Sequence, residues 1–191
     1  MDKAKKIILA VVVIVILAIL GGLYYISTSD VELQSGAGAS ITLTKNFTLD
    51  EKSPQLASDG KVEIMSYGLM DNAQTVMDTF KAIKENGNAS GYKNYSEDTI
   101  NGFKVYEYAA NPKDLKVLKY GSSTEWTEYP PINLTYPAGS KVDCDHYRVV
   151  TFVSPNNATM NQIVLIAKDA NTDLYTPEIN EMLRTIKVTE Q

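Results

Sequence analysis

The sequence predicts an α+β protein: an N-terminal transmembrane helix followed by an antiparallel β-sheet domain flanked by two helices. Three observations predict it. Residues Ile7 to Ile26 form an uncharged run of twenty, fourteen of them Ile, Leu or Val, and at about 1.5 Å per residue such a run crosses a hydrocarbon layer about 30 Å thick. From Asp30 onward the chain holds 15 basic and 22 acidic residues with apolar and polar positions intermixed, the composition of one domain with one core. Within that remainder, short alternating stretches are separated by turn signals, and two further stretches carry helical spacing instead.

The elements follow in order. Lys3, Lys5 and Lys6 precede the apolar run, whereas Ser27, Thr28, Ser29, Asp30 and Glu32 follow it. The positive-inside bias makes residues 1–6 a cytoplasmic leader and 7–28 a single-pass signal anchor in the cell membrane, with lipid as the partner of residues 7–26 and the rest of the chain extracytoplasmic. Tyr24 and Tyr25 suit the far interface. The small-x-small site Ala37-Gly38-Ala39 lies too far beyond the apolar run for signal cleavage. Residues 29–40, rich in Gly, Ala and Ser, read as a flexible tether, leaving 41–191 as the domain.

In that domain Ile41, Leu43, Phe47 and Leu49 alternate as in a strand, and Lys61 to Tyr67 forms a second after the turn Ser58-Asp59-Gly60. Asp71 or Asn72 caps a helix carrying Val76, Phe80 and Ile83, stopped by Gly87. Asn101-Gly102, between Tyr92–Ile100 and Phe103–Ala110, is a hairpin signal. A short strand near Leu115 to Tyr120 precedes a long loop containing Pro130, Pro131 and Pro137. A second hairpin, His146 to Val153 and Gln162 to Lys168, turns through Pro155-Asn156-Asn157. The last helix has Thr176 as its cap, Pro177 in first position, Glu178 facing the dipole, and an apolar stripe of Ile179, Met182, Leu183 and Ile186.

This element order, closed by Thr176-Pro-Glu-Ile and Leu183-Arg-Thr-Ile186, resembles the PsbP-like fold, a central antiparallel sheet sandwiched by helices. The resemblance covers roughly residues 41–188. It implies a binding or accessory module, with small single-span surface proteins of archaea as a plausible home.

Chemistry is bounded mainly by exclusions. The acidic balance leaves no basic stripe to displace counterions from phosphates, so nucleic acid is not a partner. Lone Cys144 excludes an internal disulfide framework and a thiolate zinc cluster. His146 is the only histidine; two residues from Cys144, it would share a strand face with the thiol, while Asp143 and Asp145 face the other way, so neither a catalytic nor a zinc set is complete. Asp169, Asn171 and Asp173 have the 1-3-5 spacing of a calcium loop, but Leu174 stands where that loop needs Gly and Asn180 where it needs Glu. No cofactor or catalytic residue is assigned. Asn46, Asn88, Asn94, Asn133 and Asn157 open glycosylation sequons. Tyr120, Trp126, Tyr129 and Tyr136 mark a loop suited either to recognition, through stiff aromatic surface, or to covering the sheet. Lysine outnumbers arginine sixteen to two.

The sequence therefore favours a membrane-tethered extracytoplasmic binding or scaffolding domain, without an evident active site, whose partner is a surface protein or glycan. Two other readings compete. A hydrolase using paired carboxylates needs no histidine, although the sequence does not say which pair converges. A pilin-like subunit would share the basic leader and apolar helix. Oligomeric state is left open, the pair Ala18 and Gly22 being a single small-residue contact.

Overall fold

Two mainly apolar runs, His146–Val153 and Met160–Ala167, lie side by side and antiparallel, buried along nearly their whole length. Strands buried on both faces require cover on both, and the remaining elements supply it. The computed structural model describes residues 31–35, 38–69, 73–122, 125–129, 134–136, 138–155 and 159–188, all within the compact unit Val31–Gln191. Its strands are β1 (Val31–Ser35), β2 (Ala39–Leu43), β3 (Thr48–Asp50), β4 (Ser53–Ser58), β5 (Val62–Leu69), β6 (Tyr92–Ile100), β7 (Phe103–Ala110), β8 (Leu118–Ser122), β9 (Glu125–Tyr129), β10 (His146–Val153), β11 (Met160–Ala167) and β12 (Lys187–Val188). The helices are α1 (Ala73–Asn86) and α2 (Pro177–Arg184).

Seven strands form one antiparallel sheet in the order β3-β4-β5-β11-β10-β7-β6. Its two faces carry separate cores, because side chains alternate along each strand. On one face Ile64, Val105, Val150, Phe152, Ile163 and Leu165 pack against Leu33 and Ile41 of a second sheet, β1-β2-β12, and against Ile179, Met182 and Leu183 of α2. On the other, Met65, Tyr108, Tyr147, Val149, Val164 and Ile166 pack against Phe80 and Ile83 of α1 and Leu118 of the β8–β9 hairpin.

Local signals account for the element ends. Asn101 and Gly102 adopt φ of +50° and +83°, the paired left-handed conformation of a two-residue hairpin turn. Thr176 Oγ1 accepts a hydrogen bond from the Ile179 amide at 3.2 Å, with Pro177 in the first turn of α2. After α1 a short 3-10 turn, Gly87–Ser90, ends at Gly91 with φ +90°. A Cβ there would stand 2.5 Å from the Asp114 carbonyl oxygen, so only glycine fits.

Several expectations are corrected. The fold class is mostly β, strands making up 51% and helices 18% of the described residues, and α2 shares its face with a second sheet. Among the described residues no helix is long and apolar enough to cross a membrane. That finding overturns the single-pass, signal-anchor localisation with a cytoplasmic N-terminus. The leader 1–6 and the transmembrane helix placed at 7–28, with its lipid contact through 7–26, lie outside the described residues. The tether placed at 29–40 contains β1 and the start of β2, paired Leu33 to Ile41 with both side chains fully buried. Ser35 and Ser40 belong to these two strands, and Gly38, with φ +74°, stands next to the last pair, Ser35 and Ala39. The strand read through Ile41, Leu43, Phe47 and Leu49 is two strands in different sheets, β2 and β3; the long loop after Tyr120 contains the end of β8 and all of β9, and β4 and β12 went unforeseen.

Candidate functional site

The α2-side layer stops short of the sheet's β6 edge, leaving a cleft of about 260 Å³. Its floor is built by strand alternation: Ser96, Asp98 and Ile100 from β6, Val105 and Glu107 from β7, and Arg148 and Val150 from β10. Its wall comes from α2, through Asn180, Leu183 and Arg184, and from Tyr175 just before that helix.

Arg148 organises the floor. It is a charged residue inside a mainly apolar strand, 5% exposed, and a buried cation persists only with partners that answer its charge and its hydrogens. Its Nε and Nη2 both donate to Glu107 Oε2, at 3.2 and 2.6 Å. Its Nη1 donates to the Leu174 carbonyl at 2.9 Å and to Asn180 Oδ1 at 2.8 Å. The guanidinium plane also lies over the Tyr175 ring, 4.2 Å from its centroid, a favourable cation–π geometry. Asn180 Nδ2 donates back to the Tyr175 carbonyl at 3.0 Å. One side chain thus ties β7, β10, α2 and the preceding loop together.

The groups left over face a ligand's needs. Among the described residues Glu107 Oε1 has no hydrogen-bond partner, Asp98 accepts only from the Thr99 amide through Oδ1 at 2.7 Å, and Arg184 makes no ion pair. Asp98 and Arg184 are exposed at the mouth. Both arginines of the chain therefore line this one cleft, while none of the described lysines does.

No family model, curated protein or solved structure matches this chain. Nothing in those comparisons bears on the PsbP-like resemblance, and the site rests on its geometry alone.

The residues singled out in the sequence lie apart from this cleft. Cys144 belongs to the α1-side core, and burial, ahead of the neighbouring Asp143 and Asp145 charges, pushes its thiol up, the opposite of a nucleophile's need. His146 does not share its face: Nε2–H donates to the Thr172 carbonyl at 2.9 Å, and Nδ1 lies 3.1 Å from the Asp145 carboxylate. Asp169, Asn171 and Asp173 line a separate hollow of about 370 Å³. Asp169 is spent on its own turn, accepting from the Asn171 amide and the Thr172 hydroxyl at 2.9 and 2.7 Å, and Asp173 accepts from the Tyr175 amide at 2.8 Å. Among the described residues no three His, Cys, Asp or Glu side chains converge to hold a metal.

In the aromatic segment, Tyr120, Tyr129 and Tyr136 pack partly buried against the α1-side core, as a cover would. Tyr136 donates to Glu63 Oε2 at 2.6 Å. The Trp126 side chain lies outside the described residues. Asn46, Asn88 and Asn94 are exposed, whereas Asn133 and Asn157 lie outside the described residues. The cleft residues went unnoticed because their partners are distant: Arg148 and Glu107 are 41 positions apart. One signal existed, a lone arginine in an apolar strand, which demands a counter-charge.

Proposed function

We propose that this domain is a non-catalytic binding module whose ligand sits in the cleft over the Arg148–Glu107 pair. The observation that supports this is the rigid floor. Four guanidinium hydrogens are committed to the protein, so the surface presented to a ligand is pre-organised, which lowers the entropy lost on binding. A volume of about 260 Å³ falls just below the roughly 300 to 1,000 Å³ of sites for drug-sized molecules and suits something smaller. The purified full-length chain, screened by NMR against a library of small polar compounds, should give hits that shift the amides of Ser96, Asp98, Glu107 and Arg184. Hits that cluster elsewhere on the surface would remove the cleft from consideration.

A second reading has one observation in its favour. Asp98 pairs directly with Val105 across β6 and β7, so Asp98 and Glu107 are diagonal neighbours on one face, roughly 7 to 8 Å apart by backbone spacing. Paired-carboxylate hydrolases use separations of about 5 to 10 Å. Against it, Glu107 already receives two guanidinium hydrogens and Asp98 stands in water, whereas a general acid needs an apolar enclosure. Turnover of a glycoside by the full chain, abolished by Asp98→Asn, would favour this reading over binding alone.

A further inference from the structure

The choice of arginine in this cleft carries information about the ligand. A guanidinium differs from an ammonium in offering a planar fork that matches a carboxylate bidentately. This chain uses lysine for every other basic position. Arg148 spends its fork on Glu107 inside the protein, and the Arg184 fork at the mouth has no partner among the described residues.

The remaining lining restricts what the rest of that ligand can be. Asp98 and Glu107 Oε1 are acceptors, so they call for donors. They are diagonal neighbours across β6 and β7, with backbone positions about 7 to 8 Å apart, a spread that suits hydroxyls set around a ring. Inorganic phosphate would meet Arg184 but bring its remaining charge against two carboxylates. Between these polar groups the half-buried Ile100, backed by the buried Val105 and Leu183, offers apolar surface to the C–H face of a ring. The two arginines balance the two carboxylates, so a ligand with a single negative charge held at Arg184 meets no excess of either sign.

We propose that the cleft binds a carboxylate-bearing saccharide, a single hexuronate ring. Arg184 receives its carboxylate through two parallel N–H bonds, and Asp98 and Glu107 accept from its hydroxyls. This rests on the reading of the domain as a binding module with its site in this cleft.

The test is titration of the full-length chain with methyl β-D-glucuronide, followed by calorimetry and amide shifts, with methyl β-D-glucoside, acetate and inorganic phosphate as comparators. The glucuronide should bind at least tenfold more tightly than any comparator and shift the cleft amides. Arg184→Lys keeps the charge but not the fork and should weaken it about tenfold; Asp98→Ala should do the same. Both positions are exposed, so the variants should keep the wild-type denaturation midpoint. Glucoside or phosphate binding as tightly as the glucuronide, or an Arg184→Lys variant that binds unchanged, would overturn the assignment. Absence of glucuronide binding would overturn it too, while cleft hits from the compound library would leave the module reading standing. Release of methanol from the glucuronide would instead sink the non-catalytic reading and keep the sugar class.

Discussion

Arg148 and Glu107 show what a single buried pair does in this domain. Their side chains are 6% and 17% exposed, so the attraction between them is screened little by solvent, and each would be costly alone. Surface pairs such as Lys119–Glu128, at 59% exposure on both sides, are worth about 0 to 1 kcal/mol by comparison. Glu107→Gln leaves the guanidinium charge buried without its counter-ion, and the expected loss is about 3 to 5 kcal/mol in urea unfolding. Replacing both residues together, Arg148→Met with Glu107→Leu, should recover most of that loss, since a well-packed apolar pair often matches a buried ion pair in stability. A Glu107→Gln loss below about 1 kcal/mol would mean that water reaches the pair. The double variant should nonetheless lose the cleft's ligand, which separates what the pair does for stability from what it does for binding.

Between elements, the contact that locks the β6–β7 hairpin to α2 is a turn residue. Asn101 Nδ2 donates to the carbonyls of Arg184 and Ile186, each at 2.9 Å; the first is an acceptor that a helix leaves open at its C-terminal end, and the second lies just past the C-cap Thr185. Asn101→Gly keeps the left-handed turn and deletes only these bonds, so it should cost about 1 to 2 kcal/mol. Hydrogen exchange should speed up at the end of α2 and be unchanged in β10 and β11; uniform acceleration would show that the turn itself had failed. The same turn illustrates which elements were legible in the sequence. Asn101-Gly102, the Thr176-Pro177 cap and the Val76, Phe80, Ile83 spacing are local chemistry, and each stands where residue order placed it. β1, β4, β9 and β12 have two to six residues each, too short for an apolar alternation to mark them. The Ser35–Ser40 segment has the composition of a linker, yet Ser35 pairs with Ala39 and Ser40 with Gln34 because Leu33 and Ile41 have a core to enter. The cleft was still less legible: its seven polar residues come from β6, β7, β10, α2 and a loop, and of these only Arg148, set among apolar residues, stood out in the sequence.

At the scale of the whole molecule, the α1-side core has an unusual content: Tyr92, Tyr108 and Tyr147 are 2%, 1% and 1% exposed. Their rings meet edge to face, with centroids 5.2 Å apart for Tyr92 and Tyr108 and 6.4 Å for Tyr108 and Tyr147, a favourable quadrupole arrangement. Burial pushes all three hydroxyls above the ordinary tyrosine value of about 10. In the unfolded chain the same phenols ionise near pH 10, so above that pH the unfolded state binds fewer protons than the folded one, and stability falls as pH rises. Below pH 10 the contribution is intact. Each phenol adds up to about 1.4 kcal/mol of loss per pH unit until its folded value is reached. The urea midpoint should therefore be flat, as far as these groups are concerned, between pH 7 and about 9 and fall above about 10, with tyrosinate absorbance from the three rings rising together with unfolding. Tyr108→Phe isolates the effect. Its hydroxyl makes no hydrogen bond among the described residues, so its removal costs little at neutral pH and should flatten the alkaline slope by up to about 1.4 kcal/mol per pH unit. An unchanged slope in that variant would mean that water enters the α1-side core before the domain unfolds.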